Sequence, residues 1–262
     1  MPAPMHVPST EDIEREIEAE FRDDARQALN RVEVEIENAR SGATSGPAAA
    51  GALRKIIRSL TAQAPSGVLP SARLLLRRMD EYLGPLDDLT PVHLDDVRFF
   101  ADRLEDALEG RLEGTEATAR VVRELPLKRT FDIDFEVVIP RPVEVLLVLP
   151  DRAGAHLVER ELAACGLRST NVRIPFDAFE QAFRARPDLI IAGQEIGEMT
   201  GVDLACAFTA MPHTRDIPFA LLSSYEWGHA ALKDLPPRAA LLKKGPRFGD
   251  DLALALTRFG IL

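Results

Sequence analysis

The chain has 262 residues, 46% hydrophobic and 28% charged, which suits two folded domains of ordinary size rather than a disordered or membrane protein. A formal net charge of −10 argues against a general nucleic-acid binder and in favour of protein partners, with no DNA among them. The longest apolar run, Val143 to Leu149, is broken by Glu144 and stopped by Pro150, so no membrane insertion is expected.

Met1 to Asp12 has no basic start followed by an apolar stretch, so the sequence reads as a cytoplasmic protein without a secretory signal. Ser9-Thr10-Glu11-Asp12 then offers a hydroxyl cap and first-turn acids. Behind it Phe21, Ala25, Ala28, Leu29, Val32, Ile36 and Ala39 recur by threes and fours along one helix. Ser41 to Gly46 ends that helix and Pro47 opens the next, over about Ala48–Ala64, which buries Leu53, Ile56, Ile57 and Leu60. A third helix spans about Pro70–Leu83 and a fourth about Pro91–Leu112. Four such stripes joined by short loops are buried most simply as an antiparallel four-helix bundle over residues 9–114.

Residues 115–142 lose the periodicity and read as a linker. It contains an alternation, Thr130 to Phe135, that suits an extended segment, and it ends on the stiffening pair Pro140 and Pro142. From 143 to 262 short apolar runs alternate with amphipathic helices. The strands read as Val143–Leu149, Thr170–Ile174, Asp188–Ala192, Pro218–Leu222 and Ala239–Leu242. The helices read as Ala155–Cys165, Asp177–Ala185, Val202–Met211, Trp227–Leu235 and Asp250–Phe259. This pattern predicts a doubly wound (βα)5 parallel sheet, with function at the carboxyl ends of its strands. The expected class is therefore α plus α/β in two domains.

Asp188-Leu-Ile-Ile-Ala-Gly193-Gln-Glu-Ile-Gly-Glu-Met-Thr-Gly201, Ile217 to Ser224, and Leu242-Lys243-Lys244-Gly245 resemble the third, fourth and fifth strands of response-regulator receiver domains and the loops that follow them. The resemblance implies an acidic pair after the first strand for Mg²⁺, a phosphoacceptor aspartate after the third, Ser or Thr after the fourth and lysine after the fifth. Here the acceptor position falls on Gly193, which has no nucleophile. The acidic pair falls on Leu149 and Pro150, leaving Asp151 alone, too few oxygens for a hard cation. Ser223 and Lys244 persist as remnants, and the aromatic switch position falls on Leu241. Glu195 or Asp151 as a displaced acceptor is disfavoured, because in-line transfer tolerates little misplacement. The domain therefore resembles a pseudoreceiver.

Phe21 to Leu29, Leu53 to Ala62 and Gly67 to Leu74 are similar to the phosphotransfer domain of chemotaxis-type histidine kinases. The family's His-(Thr/Ser)-Leu-Lys-Gly stands here as Arg58-Ser59-Leu60-Thr61-Ala62, and arginine keeps its proton and takes no phosphate. His6, His93, His156, His213 and His229 are scattered, with no metal-ligand spacing. Cys165 and Cys206 have no CxxC partner and read as buried thiols. No phosphate loop or nucleophile elbow occurs, so no catalysis, metal or cofactor is expected.

The resulting expectation is a bacterial two-component adaptor that binds a histidine kinase, a response regulator or another phosphorelay protein without transferring phosphate. Two alternatives stay open. The run Lys243-Lys244-Gly245-Pro246-Arg247 suits a cyclic-dinucleotide sensor, and the bundle suits a homodimerisation module.

Overall fold

Ser9 and Asp12 cap each other across the first turn of a 31-residue helix, α1 (Thr10–Arg40). The computed structural model describes residues 9–65, 67, 69–128 and 138–262. The Thr130–Phe135 alternation, His6 and part of the Gly67–Leu69 loop lie outside them. The chain divides between Gly114 and Thr115 into two units.

In the first unit α1 is followed by α2 (Gly46–Gln63), α3 (Pro70–Leu83) and α4 (Pro91–Leu108). Each of the last three opens on proline at its first or second position, where the missing N–H costs nothing. α1 packs on α2, α2 on α3, α3 on α4, and α4 back on α1. Most of the stripes spaced by threes and fours are buried: Phe21, Val32 and Ile36; Leu53, Ile57 and Leu60; Leu75, Met79 and Leu83; Val97, Phe100 and Leu104, while Ala39 and Ile56 are only half-buried. Burial of each such side chain contributes about 1.5–3 kcal/mol. At the α3–α4 contact the Tyr82 hydroxyl donates to Asp96 at 2.6 Å. His93 caps its own helix, its Nδ1 accepting from the Thr90 N–H at 3.1 Å.

The second unit starts earlier than the sequence suggests. The stretch read as a linker opens with a helix, α5 (Thr115–Glu124), that buries Val121 and Val122 and packs on α7 (Pro175–Ala185). Its Arg123 holds both carboxylate oxygens of Asp188, at 2.9 and 3.1 Å. The helix is short and its partners lie some 60 residues onward, so its own periodicity gave little signal.

Five parallel strands follow: β1 (Glu144–Val148), β2 (Arg168–Val172), β3 (Leu189–Gly193), β4 (Phe219–Ser223) and β5 (Ala240–Lys243). They stand in the order β2-β1-β3-β4-β5, that of a doubly wound, receiver-like or flavodoxin-like sheet. β2 lies two residues earlier than the sequence suggests, because Ile174 leaves the sheet to precede α7 and is 56% exposed.

Alternation along β1 sends Val145 and Leu147 to one face and Leu146 and Val148 to the other. The first face is covered by α6 (Arg152–Ala164) and α9 (Phe248–Arg258), the second by α7 and α8 (Gly201–Ala210).

The helix expected over Trp227–Leu235 does not form. One 3-10 turn, Ala230–Leu232, stands there, and Leu232 and Leu235 pack against that face of the sheet. Gly228 takes φ +91°, and Pro236 and Pro237 close the segment, leaving too few residues for a nucleated helix. Cys206 is exposed and Cys165 half-buried, correcting the expectation of two buried thiols. Partial burial still pushes both thiols up from their ordinary values. Among the described residues no helix is long and apolar enough to cross a membrane.

Candidate functional site

All five strands are parallel, so their carboxyl ends form one edge of the sheet, and the residues singled out in the second unit lie along it. Val148 pairs with Ala192, which sets Leu149 beside Gly193 at the next step. Leu149 is buried and packs with Leu222, Ala155 and Leu242. A Cβ placed on Gly193 would stand 3.3 Å from its Cδ2. Glycine thus ends the third strand, and the apolar side chain that follows the first strand leans over it.

The backbone here is firmly held. Asn171 of β2 clamps Leu149 at both polar groups, its Oδ1 accepting from the Leu149 N–H at 3.1 Å and its Nδ2 donating to the Leu149 carbonyl at 3.0 Å. Gly201 begins α8 directly against β3. Its N–H donates to the Gln194 carbonyl at 2.9 Å, and a Cβ there would meet the Gly193 carbonyl oxygen at 2.2 Å. Sequence reasoning noted neither Asn171 nor the need for glycine at 201. Gln194, also unremarked in the sequence, is buried, and among the described residues its Oε1 meets no donor.

Asp151 is exposed and serves α6 as its N-cap, accepting from Ala153 at 3.2 Å and Gly154 at 2.8 Å. Glu195 is exposed and bridges to Thr200 through the backbone, closing the loop between β3 and α8. Among the described residues no three His, Cys, Asp or Glu side chains stand together where they would hold a metal. The cap of α8 is a reciprocal box of Thr200 and Asp203, whose hydrogen bonds from the Thr200 backbone and hydroxyl hold the Asp203 carboxyl below its ordinary value.

Ser223 is fully buried, and its hydroxyl accepts from the Tyr225 N–H at 3.1 Å. Lys243 is its register partner on β5. The Lys243 ammonium pairs with Glu226 and its N–H donates to Asp251 at 3.0 Å. Lys244 lies just past the strand, exposed, its N–H donating to the Ser223 carbonyl at 3.1 Å. The half-exposed Leu241 packs against the α7–α8 face.

In the first unit Arg58 lies on α2, 62% exposed, its Nε 3.2 Å from the Asp80 carboxylate on α3.

No family model matches the chain, and no curated protein does. Solved structures do resemble part of it. A putative response regulator from Chloroflexus aurantiacus aligns at 18% identity over 46% of this chain and 99% of its own, with TM-score 0.41. A chemotaxis response regulator of Vibrio cholerae aligns at 22% over 45% and 98%, with TM-score 0.40. The receiver domain of a sensor histidine kinase from Pseudomonas aeruginosa aligns at 20% over 45% and 98%, with TM-score 0.41.

Proposed function

We propose that the chain is a non-catalytic, phosphorylation-independent adaptor of a bacterial two-component pathway. In this reading α1 to α4 are an antiparallel phosphotransfer-like bundle with Arg58 at the transfer position, and the second unit is a pseudoreceiver with Gly193 at the acceptor position. The observation that carries it is the packing of Leu149 over Gly193: the space for an acyl phosphate and its cation is apolar. Transfer to a protein needs an attacking oxygen or nitrogen at the acceptor position, and Gly193 has none.

What remains is binding. Both units keep well-packed cores, so both present ordered surfaces to a histidine kinase, a response regulator or a phosphotransfer protein. The test has two arms. Incubation with acetyl phosphate and Mg²⁺ is expected to leave the intact mass unchanged, and a stable phosphoprotein would overturn the reading. Purified kinases and regulators of the source organism are then offered to the immobilised chain. Retention of none of them would remove the adaptor role.

A further inference from the structure

α7 buries its small side chains and turns its large ones to solvent. Ala178, Ala182 and Ala185 are buried on its inward side, while Phe176 and Phe183 point outward at 66% and 40% exposure. Seven residues apart, the two rings lie within about 20° of each other around the helix axis and form one ridge. Phe179 extends the ridge toward α8, where its ring meets Phe208 at 4.9 Å, and Phe183 meets the exposed His213 edge-on at 5.8 Å. The exposed Ile174 leads into it. Single apolar residues on a surface need no explanation, but a row of them along one helix face marks a contact surface.

Charge on this helix is sorted by its ends. Asp177 stands in the first turn and Arg184 in the last, both half-buried and, by the helical repeat, on the same flank of the ridge. Asp177 makes no ion pair among the described residues, and Arg184 pairs with Glu180 one turn earlier at 3.1 Å. Turning a second copy of the helix end for end, about a two-fold axis through the middle of the ridge, sets Phe176 of each copy against Phe183 of the other. The same rotation keeps the charged flanks together and brings Asp177 of each copy beside Arg184 of the other. Arg184 then stands between Glu180 of its own helix and Asp177 of the second copy.

We infer that α7 is the interface of a symmetric dimer of this chain, packed antiparallel, with Phe176 and Phe183 as its aromatic seam and Asp177 paired to Arg184 across it. The inference goes beyond the adaptor reading and does not depend on it. The ridge is complementary to itself in shape and in charge, as a closed two-fold contact requires. A helix of 11 residues offers an interface at the small end of specific ones, so dissociation on the order of 10–100 μM is expected.

The test is analytical ultracentrifugation of the full chain over about 5 to 500 μM, where a monomer–dimer equilibrium is expected. Phe176→Asp and Phe183→Asp, both at exposed positions, are each expected to weaken it at least about tenfold without altering the melt. Asp177→Arg and Arg184→Asp each set like charges face to face and should each weaken self-association at least about tenfold. An equimolar mixture of these two variants should regain pairing, because every flank contact then joins opposite charges. A structural role of either residue within one copy would not produce that rescue. A wild-type chain that stays monomeric throughout overturns the inference. So does a dimer that the phenylalanine variants leave intact, which places the interface elsewhere, and so does a mixture of the two charge variants that fails to pair. A monomeric wild type that retains a kinase or regulator, with retention lost in the phenylalanine variants, assigns the ridge to that partner and equally overturns the dimer.

Discussion

The Cδ2 atom of Leu149 stands 3.3 Å from where a Cβ on Gly193 would be, so one apolar branch occupies the ground above the last residue of the third strand. The contact joins the ends of two neighbouring strands, and Asn171 fixes the backbone that carries the leucine.

Introducing a carboxylate there should not create a phosphoacceptor. Gly193→Asp buries a carboxyl against Leu149 without a cation, and the domain is expected to lose about 1–3 kcal/mol in urea denaturation. Mass spectrometry after acetyl phosphate treatment should still find no adduct, because Leu149 and Pro150 supply no metal ligand. Efficient phosphorylation of this variant would show that the apolar packing is not what blocks the chemistry.

Two glycines should respond in opposite directions to the same substitution. Gly201→Ala places a methyl 2.2 Å from the Gly193 carbonyl oxygen and 2.4 Å from Leu221 Cδ1, forcing α8 off the sheet, and should cost about 1–3 kcal/mol or more. Gly51→Ala meets open space in the interior of α2 and should stabilise the free protein by up to about 1 kcal/mol. Denaturant midpoints of the two variants decide both.

The boundary of the second unit can be tested through Arg123. If α5 were only a connection, Arg123→Ala would be silent. Because the guanidinium holds the partly buried Asp188, which also accepts from the Glu144 N–H at 2.9 Å, the expected loss is about 1–2 kcal/mol by calorimetry.

Acid should weaken the start of α8. Hydrogen bonds from Thr200 hold the Asp203 carboxyl below its ordinary value, so its contribution is fully present above that unfolded value and is lost as pH falls through the lowered folded one. Asp203→Asn should thus cost about 0.3–1 kcal/mol at neutral pH and progressively less below about pH 4. An undiminished difference between the two proteins at pH 2.5, measured by denaturation, would exclude this account.

Sequence alone determined much of the architecture. Steps of three and four marked the faces of α1 to α4 that are buried, and short apolar runs between helices marked a parallel sheet, because periodicity records which side chains leave water. It also determined that Gly193 has no nucleophile and that Arg58 carries a permanent charge, since these are properties of the residues themselves.

Only the tertiary structure decided what surrounds these residues. That Leu149 covers Gly193, that Asp151 caps α6, that Ser223 stands in register with Lys243, and that Arg58 pairs with Asp80 are relations between residues far apart in sequence or set by the local turn. The same holds for the two misread segments. Trp227 to Leu235 has a helical distribution of apolar residues, but Gly228 and the prolines at 236 and 237 leave it one turn. α5 is visible as a domain element only through Asp188 and α7. Local patterning fixes how each segment is sided, while the contacts that give a site its chemistry arise when segments without mutual sequence signal are brought together by the closing of the core.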